Sequence, residues 1–352
     1  MLDARWLRES SGSGRVAQHT VRGLADLDDP GFTVTLWGDP DHLADIPRWC
    51  SIHPSRSTGS EWKGQRDLLN IPRHHGSLYL HQVRPLRWRS SATLIHDTIQ
   101  LHYGAPRRAF LRRFYLRSAV RNSELILTVS DHSRRTIIDE LGCPPERIRR
   151  LQLPIDATLA ERVRRRRTET GIGTDILYVG RIAQHKNVDG LLGAFAASGL
   201  DGERQLRVFG PRRDQRRGLL SLGRQLGIRH LDIATDTTDD DLVDAYAAAA
   251  LVVQPSFTEG WGLSTFEAIA CGIPVVSSNG GALPEQVAYA RSPFEQVDVR
   301  AAGALAKALV DAPFASSVAT MNAHSVDAVA NGPRRAQLAA DIVDTLDQLR
   351  RL

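Results

Sequence analysis

The sequence predicts an α/β protein built as two doubly wound domains, each a parallel sheet covered by helices. Three observations predict this. Short apolar runs alternate with stretches of helical period along most of the chain, the pattern of strand–helix–strand units. Glycine or proline closes many of those runs, as at Val179-Gly180, Phe209-Gly210-Pro211 and Cys271-Gly272. A length of 352 residues exceeds one ordinary core and suits two.

The elements follow in order. Strands are expected at 32–37, 77–81, 92–96 and 125–130. Helices are expected at 115–121 and at 133–141, the latter stopped by Gly142. In the second half, strand 175–179 precedes a helix at 188–199 that carries Leu191, Leu192, Ala194, Phe195 and Ala196 at helical spacing. Strand 205–209, helix 216–226, strand 231–234 and helix 239–249 come next. Asp239, Asp240 and Asp241 lie in the first turn of the last of these, where the helix dipole favours acids. Strand 251–255, helix 265–271 and strand 273–277 complete the alternation. Residues 161–170 show no apolar face and are read as a linker, dividing the chain into 1–165, 171–332 and a terminal helix at 333–352.

Composition narrows the function. Apolar residues make up 42% and charged residues 24%, values of a folded globular protein. No uncharged apolar stretch reaches the ~18 residues of a membrane span, and the start lacks a signal-peptide run. Cys50, Cys143 and Cys271 are odd in number and far apart, which fits a reducing compartment and gives no thiolate metal site. A cytoplasmic protein is therefore expected. Charge is uneven: residues 1–170 hold 28 Lys and Arg against 19 Asp and Glu, the rest 17 against 21. A basic first half suits an anionic membrane surface or a phosphorylated ligand, although arginine-rich coding alone also produces it. Arg107, Arg108, Arg112, Arg113, Arg117 and Arg121 alternate with Phe110, Leu111, Phe114, Tyr115 and Leu116. Such a helix either lies on anionic lipid or packs its apolar side inward. No aromatic-and-basic platform or reading helix points to nucleic acid.

The strongest motif is Glu259-Gly260-Trp261-Gly262-Leu263-Ser264-Thr265-Phe266-Glu267, two glutamates with seven residues between them at a strand-to-helix transition. Gly260 and Gly262 let backbone N–H groups approach an anion, and the helix start adds its positive end. Glu259 and Glu267 can accept from sugar and ribose hydroxyls. Ser264 and Glu267 also match a capping box, and that reading stays open. Gly180-Arg181 ends a strand five residues before Lys186, one of three lysines in the chain, and two such cations suit a pyrophosphate. His96-Asp97 ends a strand of the first half, where the ring either meets a sugar or bonds a neighbouring backbone group. Gly12-Ser13-Gly14-Arg15 is a short glycine loop before a helix. No zinc motif, acidic strand-end pair, P-loop or nucleophile elbow is present.

Taken together these residues resemble the family 4 retaining glycosyltransferases of GT-B fold, over nearly the whole chain. The resemblance rests on Tyr178-Val179-Gly180-Arg181, His185-Lys186-Asn187-Val188, the block from Gln254 to Val276, His96-Asp97-Thr98-Ile99 and Pro154-Ile155-Asp156. It implies two Rossmann-like domains with parallel sheets facing across a cleft, acceptor-binding first and donor-binding second, with the terminal helix returning to the first. Arg181 and Lys186 would hold the pyrophosphate of a GDP- or UDP-hexose, with amides of Gly14, Gly262 and Leu263 nearby. Gly260 and Trp261 would shape the same loop, Glu267 would bind ribose, Glu259 the transferred sugar, and His96 the sugar near its reacting centre. It implies a mannosyl or glucosyl transfer to a hydroxyl acceptor in glycan, glycolipid or metabolite biosynthesis. No metal or other cofactor is expected, and a cytoplasmic location is expected, with peripheral contact at the inner membrane face left open by the basic helix. Trp261 stands where the family usually has Phe, and Leu153-Pro154 where Asn-Gly is common. The alternatives are another GT-B chemistry, such as an epimerase or phosphorylase, and a non-catalytic GT-B partner of an active enzyme.

Overall fold

The computed structural model describes residues 1–8, 12–43, 46–55, 76–81, 91–103 and 106–351. The chain divides into two units, 1–154 together with 333–352, and 155–332.

The first unit is a seven-stranded parallel sheet. Its strands are β1 (Leu2–Asp3), β2 (Val34–Gly38), β3 (Cys50–Pro54), β4 (Ser77–Tyr79), β5 (Ser91–Leu94), β6 (Leu125–Thr128) and β7 (Ile148–Arg150), in spatial order β3-β2-β1-β4-β5-β6-β7. The two-residue β1 sits at the centre, pairing β2 at Leu2↔Leu36 and β4 at Leu2↔Leu78. Helix α1 (Gly12–Leu24) follows β1, α2 (Pro106–Asn122) precedes β6, and α3 (Asp131–Leu141) follows it. Ser130 caps α3, accepting from the Ser133 N–H, and Gly142 ends it in the left-handed conformation. Ile95, Leu116, Val120, Ile126, Ile137 and Ile148 form the core between sheet and helices on this side. The glycines at 12 and 14 do not form a loop before α1: both lie in its first turn, with Gly14 buried.

The second unit is a six-stranded parallel sheet. Its strands are β8 (Asp175–Val179), β9 (Gln205–Phe209), β10 (Leu231–Ala234), β11 (Ala249–Gln254), β12 (Val275–Ser278) and β13 (Phe294–Val297), in order β10-β9-β8-β11-β12-β13. Helices α4 (Ala157–Thr170), α5 (Val188–Ser198), α6 (Arg213–Gln225), α7 (Asp239–Ala248), α8 (Leu263–Ala270), α9 (Ala304–Val310) and α10 (Val318–Asn331) cover both faces. Alternation along β8 sends Ile176 and Tyr178 to one core and Leu177 to the other. Strand order reverses between β8 and β11, so the loops leaving those two strands open on one crevice, where doubly wound sheets bind ligands.

The linker expectation is corrected as well. Residues 161–170 are not a linker. They belong to α4, which Asp156 caps through the Leu159 N–H at 2.9 Å and which buries Leu159, Ala160, Val163 and Arg167 within the second unit. Arg167 occupies a core position, so the apolar stripe is masked in the sequence. The final helix, α11 (Arg335–Arg351), belongs to the first unit. It lies so close to α1 that a Cβ on Gly23 would fall 2.6 Å from the Arg335 carbonyl oxygen. Among the described residues no helix is long and apolar enough to cross a membrane.

Candidate active site

In the second unit the residues singled out from sequence converge at the β8–β11 crevice. Gly180 and Arg181 leave β8, with Arg181 exposed, and a 3-10 turn at Gln184–Lys186 brings Lys186 round. The His185 carbonyl accepts from Phe257 N–H at 2.7 Å, and Asn187 Nδ2 donates to the Pro255 carbonyl at 3.2 Å. These bonds tie the loop after β8 to the loop after β11.

The outcome is an ion pair. Lys186 Nζ lies 2.6 Å and 2.8 Å from the two carboxylate oxygens of Glu259. Gln254 Nε2 at 2.8 Å and Ser256 Oγ at 2.6 Å also donate to Glu259 Oε1, and Ser264 Oγ in turn donates to Gln254 Oε1 at 3.0 Å. Burial alone would push the Glu259 carboxyl up, but the Lys186 charge and the bonds from Lys186 and Ser256 outweigh it and hold the group below its ordinary range. Burial and the neighbouring Lys186 lower the pKa of His185, and burial and the Glu259 charge raise that of Tyr178.

The glycine loop is fixed from behind. Gln286 Nε2 donates to the carbonyls of Trp261 and Gly262, and Thr265 Oγ1 donates to Gln286 Oε1 at 2.6 Å. Gly262 has φ +86°, in the left-handed region that favours glycine. With its carbonyls engaged, the loop presents its amide side at the start of α8, which carries no side-chain cap. The capping-box reading of Ser264 and Glu267 is thereby excluded: Ser264 lies inside α8 and bonds Gln254. Glu267 is buried and accepts from the Tyr246 hydroxyl at 2.7 Å. Trp261 is buried in the loop. Its buried ring meets Phe266 edge-on at 5.2 Å and Tyr289 at 6.3 Å.

In the first unit a second group stands at the carboxyl ends of β1, β4 and β5. His96 Nε2 lies 3.3 Å from the Leu80 carbonyl, which makes Nε2 the donor and leaves Nδ1 as the acceptor side. Burial lowers its pKa to about 4, against the raising effect of the Leu80 bond. The backbone-bonded reading therefore holds for one ring nitrogen. His81 stacks on Trp6 at 3.8 Å, and burial, His96 and Arg5 lower its pKa to about 3. Arg5 makes a fully buried pair with Asp3 at 2.8 Å and covers the Trp37 ring at 3.7 Å.

Sequence reasoning missed Gln254, Ser256, Tyr246, Gln286 and His81. A signal existed for Gln254, a lone polar residue closing the apolar run Ala249–Val253, and for His81, which ends a strand as His96 does. Tyr246 and Gln286 reach the site from remote elements.

A family model described as glycosyl transferases group 1 matches residues 161–312. The O-antigen chain mannosyltransferase B of Escherichia coli is 31% identical over 269 residues, covering 72% of this chain and 68% of that protein. The chain belongs to the group 1 glycosyltransferases. A D-inositol 3-phosphate glycosyltransferase of Mycobacteroides abscessus is 38% identical over 133 residues, 36% of this chain and 30% of that protein's length. Among solved structures, Anabaena HepE in complex with UDP and glucose superimposes with a TM-score of 0.67 at 16% identity over 99% of each chain. WaaG, a glycosyltransferase involved in lipopolysaccharide biosynthesis, gives 0.67 at 17% over 98% of each. The fold of this glycosyltransferase is accordingly GT-B, two parallel-sheet Rossmann-like domains, and the chain is an enzyme of the transferase class.

Proposed function

We propose that this glycosyltransferase moves a hexosyl unit, of mannosyl or glucosyl type, from a nucleoside-diphosphate sugar to a hydroxyl acceptor with retention of configuration. The observation that carries the reading is the Lys186–Glu259 pair at the β8–β11 crevice, beside exposed Arg181 and the uncapped start of α8. The mannosyl choice is supported by the O-antigen chain relative, and the nucleotide donor by the UDP and UDP-glucose complexes of HepE.

In this reading Arg181 and Lys186 hold the pyrophosphate with amides of Gly262 and Leu263. Glu267, oriented by Tyr246, receives the ribose hydroxyls, and Glu259 a hydroxyl of the sugar. The bond from the anomeric carbon to the diphosphate oxygen breaks while the acceptor oxygen bonds on the same face. The acceptor's proton passes to the departing phosphate. Fixed cations and backbone dipoles stabilise the charge that develops there, so no metal is required. A cytoplasmic location is part of the reading.

Calorimetry with UDP, GDP and their hexose conjugates tests it, comparing wild type with Arg181→Gln and Glu267→Gln. Saturable binding of one nucleotide, weakened at least about tenfold by each change, is expected. Binding that neither change weakens would sink the assignment of these residues. Retention is read separately from the anomeric configuration of the product by NMR.

A further inference from the structure

We propose that the exposed face of α2 is a docking surface for an anionic phospholipid bilayer, entered by Phe110, Leu111 and Phe114 and attracted by the arginines of the same helix. The helix turns Leu116, Ala119 and Val120 into the core. On its opposite side Phe110, Phe114, Arg117 and Arg121 follow one another at spacings of four, three and four, a single line along the helix, with Leu111 beside the first pair. Phe110 is 72% exposed, Phe114 67% and Leu111 53%. The other exposed large apolar side chains among the described residues are scattered aliphatics, Ile52, Leu226, Val287, Val310 and Val326. Two phenyl rings and a leucine within five residues form a contiguous patch that core packing does not explain.

Charge selects the occupant. The α2 segment contains six arginines and no acidic residue; the side chains of Arg107 and Arg108 lie outside the described ones. Arg117 donates to the Glu140 main-chain carbonyl at 3.3 Å, and a Glu140 carboxylate oxygen meets His102 at 2.8 Å. A second copy of the chain would bring the same arginines against these and repel. A bilayer carrying anionic headgroups supplies phosphate for the guanidinium groups and hydrocarbon for the rings at one surface.

Co-sedimentation of the full chain with vesicles tests this, using phosphatidylcholine alone and phosphatidylcholine mixed with phosphatidylglycerol, at low and physiological salt. Binding to the anionic vesicles only, weakened by salt, is expected. Phe110→Ser/Phe114→Ser should weaken it by about tenfold or more. Arg117→Gln/Arg121→Gln should cost about fivefold per charge. All four side chains are exposed, so circular dichroism and thermal midpoint should match wild type. The proposal is overturned if wild type ignores anionic vesicles at low salt, or if the serine variant binds them as wild type does. It is equally overturned if the patch closes a concentration-dependent dimer, seen by sedimentation equilibrium and lost in the serine variant.

Discussion

Lys186 and Glu259 hold each other before any ligand arrives, so each is also a stability residue. Lys186→Ala would leave a buried carboxylate facing Gln254 and Ser256 with no cation. Breaking such a pair from one side costs about 3 kcal/mol, which for a unit of this size lowers its thermal midpoint by roughly 6–12 °C. Differential scanning calorimetry checks this, and a midpoint unchanged within error would contradict it. Because the folded Glu259 carboxyl lies below its ordinary 4.5, its contribution is complete above that pH and is lost as the pH falls through the lower folded value. Glu259→Gln should therefore flatten the acid limb of the stability curve below about pH 4.5. The histidines of the first unit act over a different window. With ordinary values of 6.5 and folded values near 4 for His96 and 3 for His81, both bind protons more readily unfolded. Stability is fully present above pH 6.5 and falls as the pH drops from there toward 4 and then 3. His81→Phe keeps a ring against Trp6 and removes one titration, so urea midpoints measured between pH 7 and 4 should change less steeply than in wild type.

At the scale of elements, α4 is the instructive case. Asp156→Ala removes its cap and should cost about 1 kcal/mol in chemical denaturation. Arg167 is fully buried; its Nη1 reaches the Cys271 carbonyl and Asn322 Oδ1, while Nε and Nη2 have no partner. A buried cation so incompletely satisfied is costly to keep, and Arg167→Met should leave stability unchanged or raise it. A loss above about 2 kcal/mol would show that the two bonds outweigh the desolvation. The same arginine explains why α4 was illegible as a core helix: Leu159, Ala160 and Val163 have the spacing, but a guanidinium stands where the next apolar residue belongs. The donor loop was legible because its signals are local, two glycines and two glutamates at fixed spacing. Its supports were not, because Tyr246 comes from α7 and Gln286 from beyond β12. The short outer strands β3, β7 and β13 also escaped notice. Their polar, half-exposed sequences, such as Cys50-Ser51-Ile52-His53-Pro54, lack the continuous apolar run of β8 or β11.

For the whole molecule, α11 decides what can be removed. It buries Leu338, Ala339, Ile342, Val343, Leu346 and Leu349 in the first unit. At about 1.5 kcal/mol or more for each large side chain, that burial rivals a domain's whole stability of about 5–15 kcal/mol. Deleting 334–352 should therefore unfold the first unit while 155–332 keeps its own transition, a split that limited proteolysis with mass spectrometry would read directly. A single cooperative loss of the entire chain would count against two separable units.

The return of α11 also sets an order of assembly. The chain visits the first unit, leaves it unfinished, builds the second, and only then supplies the helix that covers α1. On a ribosome adding about 5–20 residues per second, the roughly 200 residues from Ile155 onward take about 10–40 s. The part of the protein made first is thus the last to be sealed. Throughout that interval the face of α1 around Gly23 stays open to chaperones, and residues 155–332 are complete before the covering helix is made.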